Sequence, residues 1–361
     1  MKIKDIQVGK ISVPLVKPFK TALRTVKSIE DVVVKITTDT GHVGYGEAAP
    51  TAVITGDTTG AIIGAINEYI KPQLIGLNIE NFEEVMLKLH SSLIKNTSGK
   101  AAVDIALYDL FGQLHNAPLY KLLGGYRNEI ITDITISVND PDEMAKDSIE
   151  AVARGYKTLK IKVGKDPQKD IERIKGIRNA IGYDIKLRID ANQGWRPKEA
   201  ISILRRMEDK GLEIELVEQP VLAHDFEGLK LVTDNVGIPV LADESVFSPR
   251  DALRILEMRA ADLINIKLMK TGGIYNALKI CSVAEVYNVE CMIGCMLESK
   301  ISVTAAAHLA GAKSIITKID LDGPSLCSQD PINGGAIFDD YRITIPEEKG
   351  LGFTNISDAF F

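Results

Sequence analysis

Lys160 and Lys162 stand two apart in the apolar run Leu159-Lys160-Ile161-Lys162-Val163-Gly164. Residues two apart on a β-strand share a face, so both ammonium groups project together while Leu159, Ile161 and Val163 face the other way. Two like charges on one face ease loss of a proton from either, which makes one of them a candidate base. Further along, charged residues close a series of apolar runs. Asp190 ends Leu187-Arg188-Ile189-Asp190, Glu218 ends Ile214-Glu215-Leu216-Val217-Glu218, and Asp243 ends Pro239-Val240-Leu241-Ala242-Asp243. Lys267 ends Leu263-Ile264-Asn265-Ile266-Lys267, and Asp320 ends Thr317-Lys318-Ile319-Asp320. From 162 to 190 is 28 positions, from 190 to 218 is 28, from 218 to 243 is 25, and from 243 to 267 is 24. That is one strand, one helix and two loops, the unit of a parallel α/β barrel whose strand ends meet at a single mouth. The spacing therefore sets three carboxylates between lysines in one ring.

Asp190, Glu218 and Asp243 offer hard oxygen donors, which favour Mg²⁺, with Mn²⁺ as a substitute. No histidine or cysteine occupies a matching strand end, which argues against zinc. Three carboxylates buried together require a cation. A metal with lysines on opposite sides suits removal of a proton next to a carboxylate. One lysine takes the α-proton from one face, the other delivers a proton to the opposite face, and the product is the epimer. Asp320 and Asp322 are two further carboxylates at the mouth, beyond those a metal needs, and call for a cationic group.

The elements that must hold these residues follow from the patterning. Strands over 3–13, 31–38 and 42–48, the last two joined by Asp39-Thr40-Gly41, predict an antiparallel meander. Helical patterns follow at about 58–71, 81–94 and 99–115, so residues 1–125 read as an α+β capping domain. Irregular polar stretches around 17–27 and 50–57 have the character of lid loops. A barrel is predicted over 126–325, beginning with a strand at 131–138. Helices are expected from 141 to 154, 170 to 181, 197 to 210, 225 to 235, 249 to 259, 273 to 287 and 301 to 310. Another strand is expected over 290–297. Eight strands with seven helices make a modified (β/α)7β TIM barrel, and 326–361 forms a tail returning to the capping domain.

The chain of 361 residues is long enough for two domains. Its 45% hydrophobic and 25% charged residues are those of an ordinary soluble protein. A net charge of −6, with no basic cluster, offers no attraction for nucleic acid or membrane. There is no signal-peptide pattern and no apolar run long enough to span a bilayer, and four cysteines form no disulfide framework, so a reducing cytoplasm is expected. The expected partner is a small molecule; a homo-oligomer is left open.

With its Lys-x-Lys strand, acidic strand ends and Asn265-Ile266-Lys267, the sequence resembles the enolase superfamily in its muconate-lactonizing subgroup. Within that subgroup it is most similar to the dipeptide epimerases. Pro18-Phe19-Lys20-Thr21-Ala22-Leu23-Arg24-Thr25 and Asp320-Leu321-Asp322 carry this closer match. The resemblance implies a lysine base working with Mg²⁺, a property of the superfamily. It implies Lys162 and Lys267 as the acid/base pair, and Lys160 as an auxiliary lysine that touches the substrate carboxylate and lowers the basicity of Lys162. It implies Asp190, Glu218 and Asp243 as metal ligands, and Asp320 and Asp322 as the pair holding a dipeptide's free ammonium. Arg24 would read the side-chain carboxylate of glutamate, so the implied reaction interconverts L-Ala-D-Glu and L-Ala-L-Glu in cell-wall peptide recycling. Thr135, Cys295 and Leu297 are expected to line the pocket, the last two by sharing a strand face. Muconate cycloisomerase or o-succinylbenzoate synthase chemistry would keep the metal and lysines but has no use for Asp320 and Asp322. A class I aldolase has no use for the metal triad, and a non-catalytic metal-binding barrel would carry its buried charges at a cost.

Overall fold

The structure, a computed structural model, describes residues 1–357 and 360–361. Strands β1 (Ile3–Lys20), β2 (Thr25–Thr38) and β3 (Val43–Ala48) form the antiparallel meander. The alanine-rich helix Thr97–Leu114 crosses it at backbone distance. A Cβ on Gly46 would sit 1.9 Å from Ala102 O, and one on Gly44 2.2 Å from Ala106 O. Small residues on both elements are what allow this approach. Helix Phe82–Ser91 packs beside it, and a run from Thr59–Gly64 passes through a π-helical stretch, Ala65–Ile70, into Lys71–Leu74.

The stretch 17–27 is not a loop. β1 and β2 continue to Lys20 and Thr25, pairing Phe19 with Val26 and Lys20 with Thr25, and leave only residues 21–24 as a tip. The pairing is supported from across the molecule: Lys20 N donates to Ser137 Oγ at 3.0 Å, and Val138 N to Lys20 O at 3.1 Å.

The expected first barrel strand divides in two. β4 (Glu129–Ile131) leaves the barrel to pair with a strand of the tail, while β5 (Ile134–Ile136) enters it. The remaining barrel strands are β6 (Thr158–Lys162), β7 (Lys186–Asp190), β8 (Ile214–Glu218), β9 (Val240–Ala242), β10 (Leu263–Lys267), β11 (Cys291–Gly294) and β12 (Ile316–Asp320). All eight lie in sequence order, and the paired ones are parallel. First and last strands meet through Asp133 N to Ile319 O at 3.3 Å and Leu321 N to Thr132 Oγ1 at 2.9 Å.

Seven longer helices intervene, Pro141–Ala153, Pro167–Ile181, Pro197–Asp209, Phe226–Thr233, Pro249–Met258, Ile274–Tyr287 and Lys300–Ala312, with a short one, Leu268–Thr271, directly after β10. Four start on proline, whose missing N–H costs nothing at the first helical position. The second begins at Pro167 rather than 170 because Asp166 accepts from Gln168 N and Lys169 N. Outward strand residues such as Leu159, Ile161, Ile189, Val217, Ile264 and Ile266 are buried under these helices. Each such burial is worth about 1.5–3 kcal/mol. The catalytic-ring charges sit on alternate, inward positions, above a buried apolar cluster of Leu216, Leu241, Leu263 and Met292.

In the tail, β13 (Asn333–Gly334) pairs with β16 (Phe353–Asn355), and β14 (Ile337–Asp339) and β15 (Arg342–Thr344) extend β4. Asp109, on helix Thr97–Leu114, accepts from Tyr45 N at 3.2 Å and Leu351 N at 2.9 Å, tying meander, helix and tail together. Among the described residues no helix is long and apolar enough to cross a membrane.

Candidate active site

Lys162 ends β6 and Lys267 ends β10, four strand steps apart in an order of eight, so they face each other across the mouth. Lys162 Nζ donates to Asp190 Oδ2 at 2.6 Å, and Lys267 Nζ to Asp243 Oδ2 at 2.7 Å. Lys160, one inward position below Lys162, lies 2.7 Å from Asp320 Oδ2, 2.7 Å from Glu218 Oε2 and 3.2 Å from Asp190 Oδ2. Asp190, Glu218, Asp243, Asp320 and Asp322 are all buried.

Burial opposes charge on every one of these groups. For Asp190 the neighbouring lysines Lys162, Lys160 and Lys267 outweigh burial and hold its pKa below the usual carboxylate range. For Asp243, Lys267 and Lys270 do the same. Glu218 goes the other way: burial, with Asp190 beside it, raises its pKa despite Lys160 and Lys267. Burial works against the Lys160 ammonium, but Asp320, Glu218 and Asp190 more than compensate and raise its pKa. Lys267 is raised likewise, burial being outweighed by Asp243. Lys160 is thus held protonated by the acids around it.

The donor set fits a hard divalent cation. Three buried carboxylates converge from adjacent strands, and Glu218 Oε2 and Asp243 Oδ1 lack an aligned hydrogen bond despite ammonium groups near them. Among the described residues no three acid, imidazole or thiol groups already enclose one point, since lysine ammonium groups lie between the acids.

The hairpin tip closes over this ring. Thr21 Oγ1 accepts from Leu23 N and Arg24 N, which turns Arg24 inward to line the central cavity with Lys160, Lys162 and Lys267. The Arg24 guanidinium makes no hydrogen bond or ion pair with a described residue; burial lowers its pKa, and Asp31 pulls weakly the other way. Thr135, Asp320 and Asp322 line the same cavity, and Asp322 Oδ2 accepts from Thr135 N at 2.7 Å. Cys295 and Leu297 line it too, but not from a strand face. β11 stops at Gly294, where a Cβ would meet Asn265 Oδ1 and Lys267 Cε, each at 2.9 Å, and the chain then turns. The turn is held by Met296 N to Glu298 Oε1 at 2.6 Å and Ser299 N to Glu47 Oε1 at 2.8 Å.

Several residues of the site escaped the sequence reading. Asn265 Nδ2 donates to Glu218 Oε1 at 2.9 Å; it stands two before Lys267, so the same period that revealed Lys160 would have found it. Gln219, buried with φ 37°, accepts through Oε1 from Asp243 N at 2.9 Å and Ser245 N at 3.1 Å, fixing the next ligand strand. Lys270 is fully buried, with its ammonium 2.6 Å from Asp243 Oδ1. Asn192 and Glu244 line the cavity and meet at 3.3 Å.

Residues 4–124 match the family described as mandelate racemase / muconate lactonizing enzyme, N-terminal domain, and residues 143–359 match the enolase C-terminal domain-like family. The chain belongs to the mandelate racemase / muconate lactonizing enzyme family. Among its relatives is the L-Ala-D/L-Glu epimerase of Clostridium acetobutylicum, 66% identical over 358 residues, 99% of this chain and 100% of that one. A substrate-liganded structure of the L-Ala-D/L-Glu epimerase from Bacillus subtilis superposes with a TM-score of 0.98 at 52% identity, covering 99% of this chain and 100% of that one. The Enterococcus faecalis dipeptide epimerase, in complex with Mg and the dipeptide L-Leu-L-Tyr, gives 0.94 at 45% identity over 98% and 100%. In this family member the barrel and the antiparallel cap are those of its epimerase relatives.

Proposed function

We propose that the chain is a Mg²⁺-dependent dipeptide epimerase interconverting L-Ala-L-Glu and L-Ala-D-Glu by proton transfer at the α-carbon of glutamate. The observation that carries this reading is the pair of lysines facing each other across the mouth, each hydrogen-bonded to a carboxylate of the acidic ring. Asp190, Glu218 and Asp243 would hold the ion, with Mn²⁺ able to replace it. A divalent cation held there would supply Lewis-acid stabilisation of negative charge on the substrate carboxylate. Asp190 and Asp243 hold Lys162 and Lys267 at opposite sides of the mouth, so one Nζ can accept the α-proton while the other donates from the opposite face. Lys160, fixed near Asp320, contributes a charge for the substrate carboxylate. Asp320 and Asp322 take the free ammonium, with Thr135 orienting Asp322 and Cys295 and Leu297 walling the pocket. Arg24, without a partner among the described residues, takes the glutamate side chain through two parallel hydrogen bonds.

In this reading residues 1–125 cap the site, 126–325 form the catalytic barrel and 326–361 brace the cap. Free thiols at all four cysteines suit a cytoplasmic enzyme of small peptides, in the turnover of cell-wall material. The muconate cycloisomerase and o-succinylbenzoate synthase alternatives bring no ammonium group for Asp320 and Asp322. Incubating the protein with L-Ala-L-Glu and Mg²⁺ should give an equilibrium mixture with L-Ala-D-Glu by chiral chromatography, and excess EDTA should stop it. Full activity after verified removal of metal would contradict the reading.

A further inference from the structure

On the other side of loop 50–57 from the active site lies a second cavity of about 480 Å³, between cap and barrel. That size is within the range of small-molecule pockets, ~300–1,000 Å³. Lys95, Thr97 and Lys100 line it from the cap, and no carboxylate is among its described lining residues. Most other polar groups there are already used: Ser248 Oγ donates to Asp251, and Asn276 Nδ2 to Thr271 O at 2.9 Å. The side chains of Lys95 and Thr97 make no hydrogen bond with a described residue.

Lys100 is the decisive member. It is only 7% exposed, and among the described residues no carboxylate pairs with its ammonium. Two of its three N–H groups go to the carbonyls of His90 and Leu93. Burial lowers its pKa with no anion to offset the effect. Asp104, one helical turn on, is committed to Ile274 N at 2.6 Å and to Tyr275 N and His90 Nε2 at 3.3 Å. A buried cation without a counter-ion is costly, and an anion in contact with it relieves that cost.

We propose that this cavity binds a small oxyanion, a carboxylate or phosphate group carried by a small molecule, held by Lys100, Lys95 and the Thr97 hydroxyl. Ile54 lines this cavity and the active site alike, so an occupant braces the loop that walls the substrate pocket. The test is calorimetric titration of the magnesium-loaded full chain with inorganic phosphate and, separately, acetate at fixed ionic strength. It uses no turnover, and only binding diminished in the lysine variants below counts toward this cavity, since anion held at the active-site metal persists in them. Saturable binding of either anion is expected, weakened roughly tenfold in Lys100→Met because a charged hydrogen bond is lost. Binding of phosphate alone assigns a phosphoryl ligand, and of acetate alone a carboxylate. The exposed Lys95→Gln is expected to weaken binding in the same way and serves if Lys100→Met does not fold. Absence of saturable binding of both anions, or undiminished binding by Lys95→Gln, overturns the proposal.

Discussion

At the residue scale, substrate choice rests on Arg24. Its guanidinium lines the cavity with Lys162 and Lys267 and has no described partner, although it is half-buried. A charged pair shielded from water costs about 2–5 kcal/mol when one partner is truncated. Arg24→Ala is therefore expected to lower kcat/KM for L-Ala-L-Glu at least ~tenfold while changing L-Ala-L-Leu little, in side-by-side steady-state assays. Equal losses on both dipeptides would mean that Arg24 supports the hairpin and does not read the substrate. Period and strand-end position made Lys160, Lys162, Asp190, Glu218, Asp243 and Lys267 legible, because a barrel strand has only two faces. Lys270 was not legible: it leaves the strand on a short helix, Leu268–Thr271, and reaches back to Asp243, a contact no local pattern encodes.

At the element scale, the strand ends must come close together as well as end in the right residue. Gly294 leaves room for Lys267 Cε and Asn265 Oδ1 on the neighbouring strand. Gly294→Ala is expected to displace Lys267 and cut kcat by on the order of 10²-fold, since misplacement by about 1 Å has that effect. Circular dichroism should show an unchanged fold. A wild-type kcat would show that Lys267 has slack in its position. The hairpin illustrates what local patterning misses. Phe19 and Val26 read as loop because their pairing is sustained by Ser137 and Val138, more than a hundred residues away in sequence. Cys295 and Leu297 reach the pocket for a similar reason: Glu47 of the cap holds the turn that carries them.

At the scale of the whole molecule, cap, barrel and tail are joined by a few buried polar contacts. Asp109 is one, accepting from β3 and from the tail at once. Burial pushes its carboxyl up to about 6. The folded chain thus holds this proton more tightly than the unfolded chain. Its stabilising effect is full below the ordinary carboxyl range and is lost as pH rises through about 6. Asp109→Ala takes the acceptor from the buried Leu351 N and the part-buried Tyr45 N and is expected to cost about 1–3 kcal/mol for the buried one and less for the other, read from the urea midpoint. An unchanged midpoint would show that the tail is held elsewhere. The repeat of strand and helix was legible from the spacing of charged strand ends. The splitting of the first strand was not, because β4 pairs with β15, about two hundred residues further along the chain.

Two lysines serving opposite faces of one carbon are the centre of the proposed mechanism. The most direct measurement is ¹H NMR of α-proton exchange in D₂O for Lys162→Ala and Lys267→Ala, each supplied with L-Ala-L-Glu and, separately, L-Ala-D-Glu. Neither variant should epimerise, and each should exchange the α-proton of one epimer only, a different one for each variant. Exchange of the same epimer by both variants would contradict the two-lysine mechanism.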